Sequence, residues 1–328
     1  MLLRPGLDGD ADGFIALIGR CWADYPGCVL DLEHEERELF ALESYCAGHG
    51  GALWTAEEQG AVVGMAAILP AGDGVWELKK LYVHPDLHGA GLGQDLLDRA
   101  EAHAAAVGAV RLVLWSDTRF TRAHRFYEKR SWVRDGPIRA LNDLSGTLEF
   151  GYAKPLDGVL ALGVSAAASA ERQLAEILVA CVDGGASVSF LAPLPLDAAR
   201  AYMRGVAQQV ATGQCILLAA WIGGVLSGTV RVQLDTPQNQ PHRAEICKML
   251  VHPDARRQGL GQALMRAAEA AAAGAGRTLL TLDTFTGSAG ERLYRRFGWT
   301  EAGVIPGYSM DAAGRLEATT LFYKQLGC

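Results

Sequence analysis

The chain has 328 residues, of which 50% are hydrophobic and 20% are charged, and its formal net charge is -7. This length exceeds what one hydrophobic core usually organises, so it predicts two domains, and the composition excludes a disordered or fibrous protein. The acidic balance argues against a nucleic-acid partner, because nucleic-acid-binding surfaces gain affinity from clustered lysine and arginine.

The cysteines and the N-terminus bear on the cellular compartment. The seven cysteines are scattered without a Cys-x-x-Cys pair, so the sequence indicates neither a disulfide framework nor a metal site. The N-terminus has no basic segment leading into an apolar stretch, and no apolar run of about 18 residues follows. We therefore expect a cytoplasmic protein without a membrane partner, and the oligomeric state is open.

The first half begins with two helical patterns and three strand patterns. Apolar periodicity predicts helices over 10–21 and 33–46, and then strands over 52–56, 62–69 and 75–83. The acidic residues in the second helical pattern are interpreted as its solvated face.

An amphipathic helix and a further strand complete this half. Apolar residues recur at spacings of three to four after Gly91, and Gly108 is placed to end that helix. A strand is predicted over 110–115.

The second half repeats this order of elements. The corresponding patterns are strands over 216–220, 225–234 and 244–251, a helix over 259–273, a strand over 278–283 and a short helix ending near Phe297. The alternation predicts an α/β fold in which each half has a mixed sheet with helices on both faces.

Comparison of the chain with itself reveals an internal repeat. Leu81-Tyr82-Val83-His84-Pro85-Asp86 returns as Met249-Leu250-Val251-His252-Pro253-Asp254, 168 residues later. Asp117-Thr118 is echoed by Asp283-Thr284, and Tyr127 by Tyr294. A period this long indicates duplicated domains rather than a solenoid. The Pro- and Gly-containing segment 154–158 is the best boundary, which predicts domains over 1–154 and 155–328.

A glycine-rich turn follows each His-Pro-Asp motif. The turns read His88-Gly89-Ala90-Gly91-Leu92-Gly93 and Arg256-Arg257-Gln258-Gly259-Leu260-Gly261, and each starts an amphipathic helix. Glycines let backbone N–H groups approach a ligand closely, and the helix N-terminus favours negative charge, so both turns predict a pyrophosphate site. No Gly-Lys-Ser/Thr follows, which excludes a P-loop, and the strand context fits a dinucleotide fold poorly.

The pattern Arg/Gln-x-x-Gly-x-Gly/Ala after a strand resembles the signature of the GNAT acetyltransferases. The second turn matches it fully, whereas His88 replaces the usual Arg or Gln in the first. The resemblance implies two tandem GNAT folds that bind acetyl-CoA, with the pantetheine arm against a splayed strand. The residues implied to bind coenzyme are Leu81, Tyr82, Val83, His88, Gly89, Ala90, Gly91, Leu92 and Gly93, with Met249, Leu250, Val251, Arg256, Arg257, Gln258, Gly259, Leu260 and Gly261.

The second half is also similar to a narrower family, the tabtoxin-resistance acetyltransferases. The match runs from about Gly158 to Cys328 and rests on separate stretches in order, which include Gly184-Gly185-Ala186-Ser187-Val188, His242-Arg243-Ala244-Glu245, Leu282-Asp283-Thr284 and Gly303-Val304-Ile305-Pro306-Gly307-Tyr308. This resemblance implies that Glu245 and Asp283 carry out acid/base work on an amine, and the wider family's pattern implies that Tyr294 protonates the departing thiolate. The alternatives are a solvated or salt-bridged carboxylate and a core aromatic ring.

Corresponding residues in the first half lead to the hypothesis that both sites are catalytic. Glu77 precedes its His-Pro-Asp motif by the same seven residues as Glu245 does, and Asp117 and Tyr127 parallel Asp283 and Tyr294. His84 and His252 open these motifs and are expected to cap the turns.

The resulting hypothesis is a small-molecule amine N-acetyltransferase with its chief site in the second half, acting on acceptors such as amino-acid-like toxins or antibiotics. Two alternatives stay open. One domain, and His88 favours the first, could be a non-catalytic acyl-CoA-binding module, or the acceptor could be a protein amine.

Overall fold

A computed structural model describes residues 1–311 and 314–327, so Ala312, Ala313 and Cys328, the last residue of the predicted second domain, lie outside the described residues. The chain divides into two compact units, Met1–Tyr127 with Arg134–Leu156, and Glu128–Val133 with Asp157–Cys328. The segment at 154–158, interpreted from sequence as a linker, consists of the end of one strand, a two-residue bend and the first residue of the next strand.

The first sheet combines long central strands with short ones at its margin. Its strands in the described residues are β1 (Leu2–Pro5), β2 (Ala52–Glu58), β3 (Ala61–Gly72), β4 (Val75–Leu78), β5 (Tyr82–Val83), β6 (Arg111–Asp117), β7 (Val133–Arg134), β8 (Arg139–Ala140) and β9 (Leu148–Pro155). Their order is β1, β2, β3, β4, β6, β9, β7, with β5 beside β3 and β8 beside β9. The β4–β6 pair is parallel.

Helices cover both faces of this sheet. They are α1 (Ala11–Trp22), α2 (Leu42–Gly48), α3 (Leu92–Ala106) and α4 (Thr121–Glu128). Phe14 and Leu42, from α1 and α2, share a core with Met65 of β3, while Leu96 of α3 packs with Ala66 on the opposite face. Successive residues of β3 thus enter different cores, because neighbouring side chains of a strand point to opposite faces of the sheet.

Two expectations for the first half were wrong. Residues 33–36 form turns, a 3-10 helix follows at Arg37–Ala41, and regular α-helix begins only at Leu42. Within the acidic run, Glu36 and Glu38 are not a solvated face, because both carboxylates pair with the ammonium of Lys80, whose side chain is only 12% exposed. Tertiary ion pairing therefore overrides the helical periodicity here.

The strand predicted over 75–83 is interrupted. The Lys79 amide donates to the Ala67 carbonyl at 2.8 Å, and Tyr82 next pairs with Met65, so Ala66 lies opposite two residues of the other strand. This β-bulge separates β4 from β5 and turns the later segment away from β6.

The second sheet contains seven strands within the described residues: β10 (Gly158–Leu162), β11 (Cys215–Ile222), β12 (Val225–Gln233), β13 (Arg243–Val251), β14 (Leu279–Phe285), β15 (Thr300–Met310) and β16 (Leu316–Gln325). Their order is β10, β11, β12, β13, β14, β16, β15. Only the β13–β14 pair is parallel; all the other pairs are antiparallel.

Helices again lie on both faces of this sheet. They are α5 (Val164–Ser169), α6 (Glu171–Asp183), α7 (Leu196–Ala211), α8 (Leu260–Gly274) and α9 (Ala289–Arg296). Leu217 of β11 enters the core formed with α6 and α7, whereas Leu218 enters the core formed with α8. The mixed sheets with helices on both faces confirm the predicted fold class.

A partly buried ion pair recurs in both units. Lys154 Nζ of β9 lies 2.7 Å from a Glu101 carboxylate oxygen of α3, and Lys324 Nζ of β16 lies 2.8 Å from Glu269 of α8. Each pair ties the last strand of its unit to the helix that follows the glycine-rich turn. Among the described residues, no helix is both long enough and apolar enough to cross a bilayer.

Candidate active site

The two parallel strands of the second sheet separate along their length. β13 and β14 pair only at Arg243 with Leu279, Ala244 with Leu280 and Glu245 with Thr281. Within the described residues, the backbone edge of β13 that faces β14 has no strand partner beyond Glu245, so an extended ligand can pair with its N–H and C=O groups. Glu245 therefore lies where the cleft opens.

The first sheet has the same opening. Its parallel pairing ends at Glu77 with Val113. Glu77 and Glu245 are thus equivalent in register as well as in sequence.

A bulge interrupts β13 at Lys248 and Met249, beyond Glu245. Arg231 pairs with Cys247 and Thr229 with Leu250, which leaves Val230 opposite both Lys248 and Met249. Lys248 has φ 52°, in the left-handed region that non-glycine residues seldom adopt. Such outliers concentrate at functional sites, because a surrounding structure must hold them in place.

The glycine-rich turns lead from these strands into the helices α3 and α8. Gly91 and Gly259 have φ 93° and 88°, and space for an added Cβ is open at both. Neither helix has a side-chain cap on its first N–H groups. Unsatisfied donors, a helix dipole and free space together suit a pyrophosphate, so both turns fit the coenzyme.

The histidines before the turns have the expected structural role. The Nδ1 atoms of His84 and His252 accept from the backbone amides of Asp86 and Asp254, both at 3.4 Å. The capping prediction is confirmed.

The turns differ in charge. Arg256 Nε donates to the Val251 carbonyl at 3.4 Å, and His88 Nε2 contacts the Val83 carbonyl at 3.0 Å. Desolvation, and then the charge of Arg122, lower the pKa of His88 below its ordinary value. The imidazole is therefore neutral at pH 7, whereas Arg256 is always charged.

The next residue of each turn differs as well. Arg257 has φ 63° where Gly89 has φ 87°, so the second turn places a second arginine in a left-handed position. The second turn consequently carries more positive charge than the first.

Glu245 and Asp283 both have free carboxylates. Glu245 is half-buried and Asp283 exposed, and no ion pair or hydrogen bond involves either carboxylate within the described part of the chain. Both charges oppose the desolvation that lowers the pKa of Lys248. Asp283 lies two residues beyond Thr281, the strand partner of Glu245. The predicted carboxylates are therefore close together and available for proton transfer.

Tyr294 lies beside this cluster. Its ring is 7% exposed and packs near Trp299 and Phe322, with centroids 6.1 and 6.2 Å away. Burial, followed by the negative charge of Asp283, raises the pKa of its hydroxyl above the usual value. Tyr294 is thus both a core aromatic and a phenol that stays protonated.

Asp117 is differently placed from Asp283. Because Glu77–Val113 matches Glu245–Thr281, the register makes Trp115 the counterpart of Asp283, and the parallel drawn from sequence is wrong. Asp117 is 6% exposed and accepts from Arg119 Nε at 2.9 Å. The negative charge of its carboxylate is thus balanced by the Arg119 guanidinium.

The other first-unit residues are also less free. Lys79 Nζ lies 3.6 Å from the Glu77 carboxylate, and Tyr127 is buried, which raises the pKa of its hydroxyl. A cleft of about 760 Å³ lies in this unit between residues 29–35 and 142–144, and no predicted catalytic residue lines it.

Sequence reasoning missed several residues beside Glu245. Arg231 of β12 donates through Nε to Cys247 Sγ at 3.2 Å and through Nη1 to Gln209 Oε1 at 3.1 Å. Tyr202 of α7 places its ring centroid 6.0 Å from the Arg231 guanidinium carbon. The available signal was an arginine between Val230 and Val232 in an otherwise apolar strand.

Comparison with known proteins agrees with this geometry. Residues 16–132 and 190–299 match the acetyltransferase (GNAT) family. Uncharacterised N-acetyltransferases of Mycobacterium bovis and Mycobacterium tuberculosis are each 38% identical over 85 residues, which is 26% of this chain and 54% of those proteins. An amino-acid acetyltransferase of Ralstonia nicotianae is 40% identical over 132 residues, which is 40% of this chain and 26% of that protein.

Solved structures of acetyltransferases are similar to parts of the chain at low identity. A Salmonella typhimurium protein solved with its cofactor acetyl-CoA has a TM-score of 0.43 and 18% identity, covering 52% of this chain and 95% of that one. An acetyltransferase from Streptococcus agalactiae has a TM-score of 0.42 and 24% identity, covering 47% and 98%.

Two segments of the chain match one acetyltransferase family, and the strand opening and the glycine-rich turn occur in both units. The chain belongs to the GNAT acetyltransferase family, whose acetyl donor is acetyl-CoA. It spans about half the length of the mycobacterial relatives that it matches.

Proposed function

We propose that the chain is an acetyl-CoA-dependent N-acetyltransferase, formed by GNAT domains over 1–154 and 155–328, with its main site in the second. The observation that carries this proposal is the position of the Glu245 carboxylate, which has no ion pair within the described residues. Glu245 is the last residue of β13 that pairs with β14, and the bulge of β13 follows further along the strand. The equivalent Glu77 is beside a lysine ammonium.

The chemistry follows from the protonation state of the acceptor. The coenzyme supplies the acetyl group as a thioester, which only a neutral amine attacks. An amine of pKa near 10 is almost wholly protonated at pH 7, and removing that proton costs about 4 kcal/mol. Glu245 and Asp283 attract the ammonium and accept its proton, directly or through water, and the Tyr294 phenol protonates the leaving thiolate.

The coenzyme side is assigned to the strand ends and turns. We assign the pantetheine arm to the free edge of β13 up to Val251, and the pyrophosphate to the N–H groups of 256–261 with Arg256 and Arg257 as countercharge. In the first unit the same roles fall to Leu81–Val83 and to 88–93.

The acceptor is proposed to be a primary amine on a small molecule. The similarity to the tabtoxin-resistance family implies amino-acid-like toxins or antibiotics, and the similar Ralstonia nicotianae protein is an amino-acid acetyltransferase. Support for a small acceptor comes from the half-buried setting of Glu245, Cys247 and Lys248.

A second candidate function concerns the first unit alone. The neutralised Asp117, the Lys79 ammonium beside Glu77 and the uncharged His88 favour a module that binds acyl-CoA without turnover. This candidate leaves the second unit as the catalyst.

The test is thiol release from acetyl-CoA by the full chain with a panel of small amines. We expect E245Q and D283N each to lower kcat by about a hundredfold or more, because each removes a proton acceptor. The first-unit variants E77Q, at the register equivalent of Glu245, and D117N, at the ion-paired Asp117, should leave the rate within about twofold. Equal losses in both pairs would show that both units catalyse, and no thiol release with any amine would refute the proposed function.

A further inference from the structure

Arg231 is a half-buried cation without an anionic partner. Among residues 1–311 and 314–327, no carboxylate lies within ion-pair distance of its guanidinium, which donates hydrogen bonds to the neutral Gln209 amide and to Cys247. Buried charges in proteins are normally paired. An anion is therefore missing from the surroundings of this side chain.

The Cys247 thiol does not supply that anion. Burial is the main influence on its pKa and raises it, although Arg231 opposes the effect. The thiol is therefore neutral at pH 7 and accepts only a weak hydrogen bond.

Two neighbouring polar atoms are also left without partners. The Tyr202 hydroxyl and Gln233 Oε1 are both buried, and neither has a hydrogen-bond partner within the described chain. Burial raises the pKa of Tyr202, so its hydroxyl is a donor at neutral pH. Unmade hydrogen bonds of buried groups are costly and call for a ligand or water.

These groups share the face of the sheet that carries Glu245. Gln233 pairs with Glu245 in register, and Arg231 pairs with Cys247 two residues further along both strands. Alternate residues of a strand point to the same face, so donors for an anion lie next to acceptors for an ammonium.

We propose that Arg231 and Tyr202 form an anion subsite, which binds the carboxylate of the acceptor while its amine lies against Gln233 and Glu245. The acceptor class is then amino acids, molecules that carry an amine and a carboxylate, rather than simple amines. This inference rests on the proposed N-acetyltransferase function of the second unit.

The first unit lacks this subsite. Beside its bulge, the first unit has Lys79 opposite Ala67, and the second unit has Cys247 opposite Arg231. The position of Arg231 is therefore taken in the first unit by Ala67, which is buried. The two units therefore differ on the acceptor side, although their coenzyme turns are repeated.

The experiment compares amino acids with their decarboxylated counterparts. Lysine with cadaverine, ornithine with putrescine, and phenylalanine with phenethylamine are assayed by thiol release with the full chain at saturating acetyl-CoA. We expect each amino acid that is acetylated to have kcat/KM about ten- to a hundredfold above its counterpart, because charge-assisted hydrogen bonds to the carboxylate are lost.

Variants locate the effect at the subsite. R231Q should raise KM for amino acids about ten- to a hundredfold with little change in kcat, and Y202F should raise it less, because the anion is bound equally in ground and transition states. Neither variant should change KM for the decarboxylated amines. R266Q removes an exposed arginine of α8 and is the charge-matched control.

Each outcome separates the inference from the function. Acetylation of both members of a pair with equal kcat/KM, or an equal effect of R231Q on both, overturns the subsite and leaves the N-acetyltransferase standing. No thiol release with any amine overturns the proposed function. In that case calorimetry measures the affinity of the same amino acids for wild type and for R231Q, and equal affinities for the two proteins would refute the subsite. An unchanged KM for acetyl-CoA shows that R231Q is folded.

Discussion

The hydroxyl of Tyr294 is held in its protonated form, and this determines what its removal should do. Burial and the nearby Asp283 charge raise the pKa of the phenol above its usual value of 10. The phenol therefore remains a proton donor across the neutral and alkaline range in which the amine becomes a better nucleophile.

We predict that Y294F lowers kcat about a hundredfold without changing KM for acetyl-CoA, because the ring still fills the core. Saturating thiol-release kinetics measure this effect, and Y127F is the matched control in the first unit. A loss in Y127F as large as in Y294F would contradict a main site in the second unit.

Arg257 combines a strained backbone with a useful charge. Its left-handed φ of 63° is one that glycine adopts without a Cβ penalty. R257G should therefore unfold at higher denaturant than R257A, with a free energy of unfolding about 1 kcal/mol larger. Both variants should bind CoA more weakly by the same factor, since both lack the guanidinium, and calorimetry would detect a difference between them.

At the scale of elements, the apolar periodicity of the sequence predicted those helices and strands whose formation depends on their own residues. The helices α3 and α8 and the long strands β3 and β12 follow unbroken apolar periodicity. The helix predicted over 33–46 failed because Lys80, distant in sequence, attracts Glu36 and Glu38.

The sequence pattern also did not predict where strands are interrupted. The bulge that splits 75–83 depends on pairing with β3, and the sequence prediction contained no strand at β15, where Gly303, Pro306 and Gly307 disguise the pattern. These features follow from partner strands rather than from local propensity.

The ion pair between β16 and α8 gives an element-scale prediction. Lys324 Nζ also donates to the Phe297 carbonyl at 2.8 Å, and its side chain is 23% exposed. K324M should lower the free energy of unfolding by about 2 kcal/mol, because it leaves the Glu269 carboxylate without its cation. R172A breaks a pair with side chains 54% and 48% exposed and should cost less than about 1 kcal/mol. Equal losses in denaturant unfolding would contradict a structural role for Lys324.

At the scale of the whole molecule, the repeat predicted the two glycine-rich turns better than the surroundings of Glu245. Each turn is continuous in sequence, so its copies align without gaps. Asp117 and Asp283 were matched with a shift of two residues, because the connecting segments differ in length and only strand register corrects the alignment. Arg231 and Tyr202 come from separate elements, and no local motif joins them.

The same repeat implies two coenzyme sites with different pH dependence. We predict that calorimetry detects two CoA equivalents per chain, with the weaker site in the first unit. Because the pKa of His88 lies below its ordinary value of 6.5, the ring gains its charge only as the pH falls below neutrality. Affinity at the first site should then rise by up to about fivefold as the pH falls from about 7.5 to 5.5, since one full added charge contributes about 1 kcal/mol.

The coenzyme's own phosphate titrates in that range, so the comparison that isolates His88 is with H88Q. H88Q should lose the rise, and H88R should bind tightly at both pH values. R256Q should weaken only the stronger site, by a factor independent of pH, because an arginine stays charged throughout. Identical pH profiles of CoA affinity for wild type and H88Q would show that His88 does not contribute to coenzyme binding. A single CoA equivalent per chain would show that only one of the duplicated turns binds coenzyme.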